Sequence, residues 1–313
     1  MLGVKRSQRG ICLQRGIRRR EGNRVVSATE PIIRILTMAD VPRCVVLSTE
    51  AHWNQTEADW QFLIEQAHPY GLELPGEGLV ATTVAWDLGA RFTWINMVLV
   101  TETCRGRGFA RLLMEKALVE GKARGMTAAL DATGFGAPVY ERMGFSGADR
   151  LVRLRGDSNR WHQAGEIDRP GLAVMTAVDL EEVVTLDTQV MGVDRAAMIK
   201  GWWQRLPEAA WCLRSRDGAL RGFVLARPGR VATQLGPLIC PDLVAARGLV
   251  EAAMQGATGP VLMDVAKVHV AWIKTLQDRG FSEEREFLRM GGAGELPSTQ
   301  WSRYFAASGP DFA

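Results

Sequence analysis

At 313 residues the chain exceeds what one hydrophobic core organises, which sets an expectation of two ordinary domains. A hydrophobic share of 47% with 23% charged residues suits a soluble globular protein, and no apolar run reaches the roughly 18 to 20 residues that cross a bilayer. The formal net charge of +3 sits in residues 1–30, where eight Lys and Arg face only Glu21 and Glu30, so residues 31–313 carry −3 and no nucleic-acid surface is expected there.

The basic start is expected to be a disordered extension or a start codon called too early. An Arg-rich, acid-poor segment also suits a transit peptide, but it has few serines and no clear amphipathic repeat. Five scattered cysteines, Cys12, Cys44, Cys104, Cys212 and Cys240, with no Cys-x-x-Cys pair and only four histidines, support neither a disulfide framework nor a zinc site. A reducing, cytoplasmic setting without a metal is the expectation.

The first element is the β-branched run Ile32-Ile33-Arg34-Ile35, which passes at Thr37 into a helical pattern that Thr37 or Asp40 can cap. Thr56 followed by Asp59 resembles a capping box and opens a second helix to about residue 66. Residues 79–100 read as two long strands joined around Asp87-Leu88-Gly89. Next comes the turn Cys104-Arg105-Gly106-Arg107-Gly108, and then Phe109, Leu112, Leu113, Ala117 and Leu118 at helical spacing. Residues 127–133 form a short buried strand, and 137–145 a short helix with Pro138 near its start and Gly144 past its end. The order is that of a mixed α/β domain ending near residue 156.

The second half echoes the first. Thr37, Asp40, Val45 and Leu47 match Thr176, Asp179, Val184 and Leu186 at an offset of 139, whereas Glu141-Arg142-Met143-Gly144-Phe145 matches Gln277-Asp278-Arg279-Gly280-Phe281 at 136. Three residues are therefore expected to be missing near the counterpart of the glycine turn, where residues 238–247 contain no glycine. A tandem duplication follows, and its second copy lacks whatever the turn does. The resulting division is 1–30 extension, 31–156 first domain, 157–170 linker, 171–292 degenerate second domain and 293–313 tail. In the linker, His162 reads as merely exposed. Trp202, Trp203 and Trp211 either pack the second unit or wall a pocket facing the first.

A glycine turn between a strand and a helix leaves backbone N–H groups free beside the positive end of the helix dipole, which suits an anion. Arg105, Arg107 and Arg111 add charge, although such arginines are often only solvated. A dinucleotide-binding turn needs a third glycine where Arg111 stands, with Asp131 as its ribose-binding acid. A nucleotide P-loop needs a Gly-Lys-Ser/Thr ending that is absent. A loop for the pyrophosphate of coenzyme A is the third reading.

Arg105-Gly106-Arg107-Gly108-Phe109-Ala110, preceded by the strand Asn96 to Val100 and followed by Tyr140-Glu141-Arg142-Met143-Gly144-Phe145, resembles the GNAT N-acetyltransferase superfamily. Glu102 departs from the proline common at its position. His52-Trp53-Asn54-Gln55 together with residues 130–145 is similar to a bacterial tandem-GNAT group whose C-terminal copy is degenerate. The resemblance implies an α/β protein of two tandem domains, each a mixed, mostly antiparallel sheet flanked by helices. It also implies an N-acetyltransferase that takes acetyl-CoA as acyl donor and a small-molecule amine or a protein amino group as acceptor. On that resemblance Val98, Leu99 and Val100 pair with the pantetheine arm, and Arg105, Gly106, Arg107, Gly108, Phe109, Ala110 and Arg111 hold the pyrophosphate.

Tyr140 occupies the family's general-acid position, with a core aromatic as the plain alternative. A phenol titrates near ~10 and is protonated at neutral pH. Leu276 stands at the matched place in the second copy. No Asp, Glu or His lies on the strand from Trp94 to Val100, so a water chain, His52 or Glu50 is left to accept the amine proton. His52, Trp53 and Asn54 are expected to line the acceptor pocket, and Cys104 is not expected to be an activated thiolate.

Overall fold

Helix starts in this chain are built from Thr and Asp three residues apart. The Asp40 carboxylate accepts the Thr37 N–H at 2.8 Å and its hydroxyl at 3.1 Å, and Asp179 treats Thr176 in the same way at 2.8 and 2.7 Å. Thr56 and Asp59 open another helix with the same reciprocal bonds. Each pair satisfies N–H groups that a helix start leaves unpaired. The echo between the halves is thus one device placed twice. The computed structural model describes residues 30–161 and 170–313, so the basic start, Cys12 and His162 lie outside the described residues.

The first half runs β1 (Ile32–Ile35), α1 (Val41–Glu50), α2 (Glu57–Gln66), β2 (His68–Leu74), β3 (Gly78–Leu88), β4 (Phe92–Val100), α3 (Phe109–Ala123), β5 (Thr127–Thr133), α4 (Ala137–Glu141) and β6 (Phe145–Asp157). The second repeats that order as β7 (Leu172–Val174), α5 (Leu180–Met191), α6 (Ala196–Arg205), β8 (Trp211–Arg214), β9 (Leu220–Arg227), β10 (Thr233–Ile239), α7 (Leu243–Gln255), β11 (Pro260–Ala266), α8 (Val270–Asp278) and β12 (Ser282–Gly292). A short strand, β13 (Tyr304–Ala306), follows. The expected hairpin is β3–β4, turning through Gly89 at φ +66°. Gly89 is suited to that left-handed turn because it has no Cβ.

The sheet is mixed and mostly antiparallel, with parallel joins at β4–β5 and β10–β11. Where each half was expected to hold its own sheet, the strands form one sheet in the order β1-β2-β3-β4-β5-β12-β6-β11-β10-β9-β8-β7. Each half gives its last strand to the other: β12 lies on β5, and β6 lies on β11. At both joins a buried Arg faces a buried Asp in register. Arg289 reaches Asp131 through two bonds of 2.9 and 2.8 Å, and Arg153 reaches Asp264 through two of 2.8 Å. Bidentate pairing keeps both charges compensated away from water.

One core runs through both halves. Trp202 is buried against Phe62 and Phe312, and Asp59, also buried, accepts bonds from Arg205 and Arg227 at 2.7 and 2.8 Å. Of the two readings of the second-half tryptophans, Trp202 follows packing. Residues 297–313 are built into this core, with Tyr304 and Phe312 buried and β13 paired to β10.

Candidate active site

The turn after β4 rises through a short 3-10 segment at Glu102–Cys104 into Gly106 at φ +77° and Gly108 at φ +83°, a region open to glycine and strained for other residues. A Cβ built on either would meet nothing within 4 Å, so neither glycine is there to make room for another part of the protein. From Gly106 to Arg111 no backbone N–H donates to any of the described residues; the first that does is Leu112, to Gly108 O at 3.1 Å. Gly108, as the residue before α3, offers no side-chain cap. A ready seat for a diphosphate results, at the positive end of a 15-residue helix.

Strand β4 leads into this seat with one edge free. It pairs with β5 only from Phe92 to Trp94, and beyond that the two diverge. An extra residue at Met97, φ +50°, bulges β4 against β3 and re-aims the strand where the splay begins. Val98, Leu99 and Val100 border the resulting cleft of about 850 Å³, and Gly106, Gly108 and Tyr140 line it too. An amide-bearing arm laid along this edge satisfies backbone groups as another strand would.

The arginines divide. Arg105 lies at the cleft and donates through Nε to Val100 O at 3.2 Å. Phe109, Ala110 and Arg111 also border the cleft, with the Arg111 side chain paired to Glu115 at 2.7 Å. Arg107 does not line it: its guanidinium stacks on the Phe109 ring at 4.7 Å and lies 4.0 Å from Glu77. What Arg107 brings to the seat is its backbone N–H.

Tyr140 stands on α4 across the cleft, its half-buried ring 6.1 Å from Phe145 and its hydroxyl making no hydrogen bond among the described residues. Burial pushes its pKa up to about 12, so the phenol keeps its proton at neutral pH. Leu276, its counterpart, is fully buried in the second core.

The acceptor end differs from expectation. Trp53 lines the cleft, but Asn54 does not. Asn54 Oδ1 accepts the Val231 and Ala232 N–H groups at 2.9 and 3.1 Å, and its Nδ2 donates to Ala232 O at 2.9 Å, so this side chain splices the first half to the loop after β9. His52 is exposed at φ +56° and takes no part in the lining. Glu50 accepts from Thr101 Oγ1 at 2.7 Å and pairs with Arg43 at 3.8 Å, which commits it to bracing the turn. Asp131 is held by Arg289 and has no freedom to bind a ribose. The Cys104 thiol is buried and donates to Glu77 at 3.2 Å, as suits a thiol rather than a nucleophile.

Three residues without a local signal complete that end: Gln55, Asn96 and Asp311. Asp311 arrives from the far end of the chain, its segment fastened to β4 by Trp94 Nε1 to Pro310 O at 2.9 Å and Asn96 Nδ2 to Asp311 O at 2.8 Å. No local pattern marks Asp311, because its neighbours in space are about 215 residues away in sequence.

A parallel pair of strands splays at a bulge, with an uncapped helix start at the open end and a tyrosine opposite. The chain belongs to the GNAT superfamily. A profile described as "Acetyltransferase (GNAT) family" matches residues 35–145, and one described as "Acetyltransferase (GNAT) domain" matches 183–306, so both halves are GNAT domains. Holothin acyltransferase of Pseudoalteromonas sp. (strain SANK 73390) is 26% identical over 216 residues, which span 67% of this chain and 70% of that one. An acetyltransferase candidate from Pyrococcus horikoshii superposes with a TM-score of 0.75 over 94% of this chain and 99% of its own, at 17% identity. A tandem GNAT protein from the clavulanic acid biosynthesis pathway gives 0.60 over 85% and 99%, at 14% identity. These likenesses establish the tandem fold. No helix among the described residues is long and apolar enough to cross a membrane.

Proposed function

We propose that the protein is an acyl-CoA-dependent N-acyltransferase that moves an acetyl group to the amine of a small molecule or to an exposed amino group by direct attack. The observation that carries this reading is the row of unpaired N–H groups from Gly106 to Arg111 at the open end of a splayed strand, facing Tyr140. The name of the Pseudoalteromonas relative supports acyl transfer in general; acetyl as the group moved is our own reading.

In this reading the seat binds the diphosphate of the donor, and β4 aligns its amide-bearing arm so that the thioester lies near Met97. The donor supplies an activated acyl carbon. Strand β4 and the seat hold that carbon in place and restrict water, and binding the donor at several points converts encounter into a near-unimolecular step. Tyr140 donates to the sulfur as the carbon–sulfur bond breaks.

The test is thiol release from acetyl-CoA against a panel of amines, with Tyr140→Phe beside the parent. Turnover by the parent with at least one amine, about 100-fold lower kcat in the variant and an unchanged Kd for acetyl-CoA are expected. Equal kcat at saturating donor would remove Tyr140 from the mechanism. Donor binding without turnover on any amine would make the protein a binder rather than an enzyme.

A further inference from the structure

Sequence reading leaves the proton acceptor open between a water chain, His52 and Glu50; Glu50 is bonded to Thr101 and His52 lies outside the cleft lining. Where β4 bulges, the structure instead brings together three oxygen acceptors that the protein leaves without donors. Gln55 and Asn96 are almost fully buried, at 4% and 5% exposure, and both border the cleft. Each gives one N–H of its amide to Asp311, Gln55 to the carboxylate Oδ2 and Asn96 to the backbone carbonyl. That leaves Gln55 Oε1 and Asn96 Oδ1 with no partner. Asp311 Oδ1 likewise takes no hydrogen bond among the described residues, since Gln55 and Arg227, the latter at 3.8 Å, both address Oδ2. Buried acceptors are rarely left unpaired, because stripping one of water without replacement costs about 1–3 kcal/mol. Three unpartnered acceptors set together match a group rich in donors. A primary amine is such a group when charged, and nearly so when neutral.

We propose that Asp311, with the amide oxygens of Gln55 and Asn96, seats the primary amine of the acceptor and takes the proton from its nitrogen. This rests on the N-acyltransferase reading above. The nitrogen attacks as the free amine; the N–C bond forms and the C–S bond breaks. As the nitrogen becomes acidic during attack, its proton passes to the Asp311 carboxylate. The departing sulfur takes a proton through the Tyr140 hydroxyl, which regains one from solvent while Asp311 gives its own up. Acyl-CoA and amine become amide and free thiol, with no further reactant.

The surroundings suit the role. Burial raises the Asp311 pKa to about 6, opposed by Arg227 on β9 and Arg153 on β6 and by the bond from Gln55, and reinforced by Asp59 at the start of α2. Arg153 is bonded to Asp264, and Arg227, whose Nη1 is bonded to Asp59, reaches Asp311 only at 3.8 Å through Nη2, so neither holds Asp311 in a close hydrogen-bonded ion pair. A carboxylate in that range is ionised at neutral pH and still able to accept a proton.

The experiment uses the full chain, acetyl-CoA and the best amine from the panel, with kcat/KM followed from pH 5 to 9. The parent should lose activity below about pH 6. Asp311→Asn should lower kcat by about 100-fold or more, abolish that acid limb and bind acetyl-CoA as the parent does, and Asp311→Glu should recover part of the rate. Gln55→Met removes a bond that lowers the Asp311 pKa, so it should move the acid limb upward and raise KM for the amine. This second variant decides the matter if Asp311→Asn does not fold. A secondary amine built on the same scaffold should react more slowly than the primary one in the parent and lose that disadvantage in Gln55→Met. Full turnover with an intact acid limb in Asp311→Asn, or an unmoved limb in Gln55→Met, overturns the assignment while thiol release keeps the acyltransferase reading. A parent that releases no thiol with any amine overturns both.

Discussion

Helices α3 and α7 hold matching places in the two halves and begin in opposite ways. At α3 the residue before the helix is Gly108, left-handed and without a side chain, and the N–H groups behind it are free. At α7 it is Asp242, in extended conformation, whose carboxylate accepts the Ala245 N–H at 2.8 Å. A carboxylate of the chain thus sits where the first half keeps room for an anion. The strands tell the same story. Below α3 the β4–β5 splay is a cleft; below α7, β10 and β11 pair only at Thr233 and Gln234, and β13 enters beyond, bonded to β10 and bridged to β11 through Asp264 and Ala307. The second half fills with its own backbone the edge that in the first stays unpaired. Three residues, 240–242, join β10 to α7 in place of the eight, 101–108, that join β4 to α3, which leaves no length for a glycine loop. The same C-terminal chain that plugs the second slot then continues into the first site as Pro310 and Asp311. One half has become the scaffold of the other.

If that scaffolding depends on the exchanged strands, cutting one lock should cost more than any other single change. Arg289→Met removes the partner of Asp131 and the stacking of the guanidinium on Trp94 and Trp301, leaving a buried acid uncompensated. A loss of about 3–5 kcal/mol of unfolding free energy is expected in urea titration. A loss below about 1 kcal/mol would mean that the exchange holds without its ion pairs.

Asp311 should show the opposite sign. Its folded pKa, about 6, lies above the roughly 3.9 of an unfolded aspartate, so the folded state binds the proton more tightly. The carboxylate therefore costs stability as pH rises from about 4 through 6, and nothing below. Asp311→Asn should raise stability at pH 8 by up to about 3 kcal/mol, at 1.36 kcal/mol per unit, and leave it unchanged near pH 4. Equal destabilisation at both pH values would make the residue a structural anchor.

The difference between the two helix starts can be transplanted. Gly108→Asp puts a Cβ and a negative charge where the first half keeps open space. Acetyl-CoA affinity should fall by about 100-fold in calorimetry, while the left-handed backbone costs only about 1–2 kcal/mol of stability. Donor binding equal to the parent would move the diphosphate away from this turn.

What was legible in the sequence was local. Thr37 with Asp40 and Thr176 with Asp179 announce helix starts because both partners lie within one turn, and the turn at Gly106 and Gly108 announces an anion seat because unpaired N–H groups follow from the backbone alone. Tyr140 was singled out by the family resemblance that Tyr140-Glu141-Arg142-Met143-Gly144-Phe145 carries, and it borders the cleft. The strand exchange was not, because β6 and β12 follow equivalent helices and endings, and nothing in either strand says which neighbour it chooses. Asn54 was expected in the pocket because the resembled fold lines its acceptor site with this loop, yet its side chain has the two-way bonding of a peptide group and is used as one. Asp131 and Arg289 read as unrelated charges until the sheet sets them in register. Asp311 lay in what reads as a tail, since its meaning comes from Gln55 and Asn96, which only the folded chain brings to it.

The smallest effect belongs to the silent half. Asp242→Ala removes the cap of α7 and leaves the Ala245 N–H unpaired, at an expected cost of about 1 kcal/mol in thermal or urea unfolding. Because β13 still fills the strand edge, and the connection before α7 is too short to loop around a phosphate, the freed N–H groups should gain no affinity for acetyl-CoA. Calorimetry at concentrations that saturate the first site should give a stoichiometry of one for parent and variant alike. A second binding event in Asp242→Ala would mean that the carboxylate alone had closed the second slot, and that the difference between the halves lies one substitution deep rather than being built into the strands.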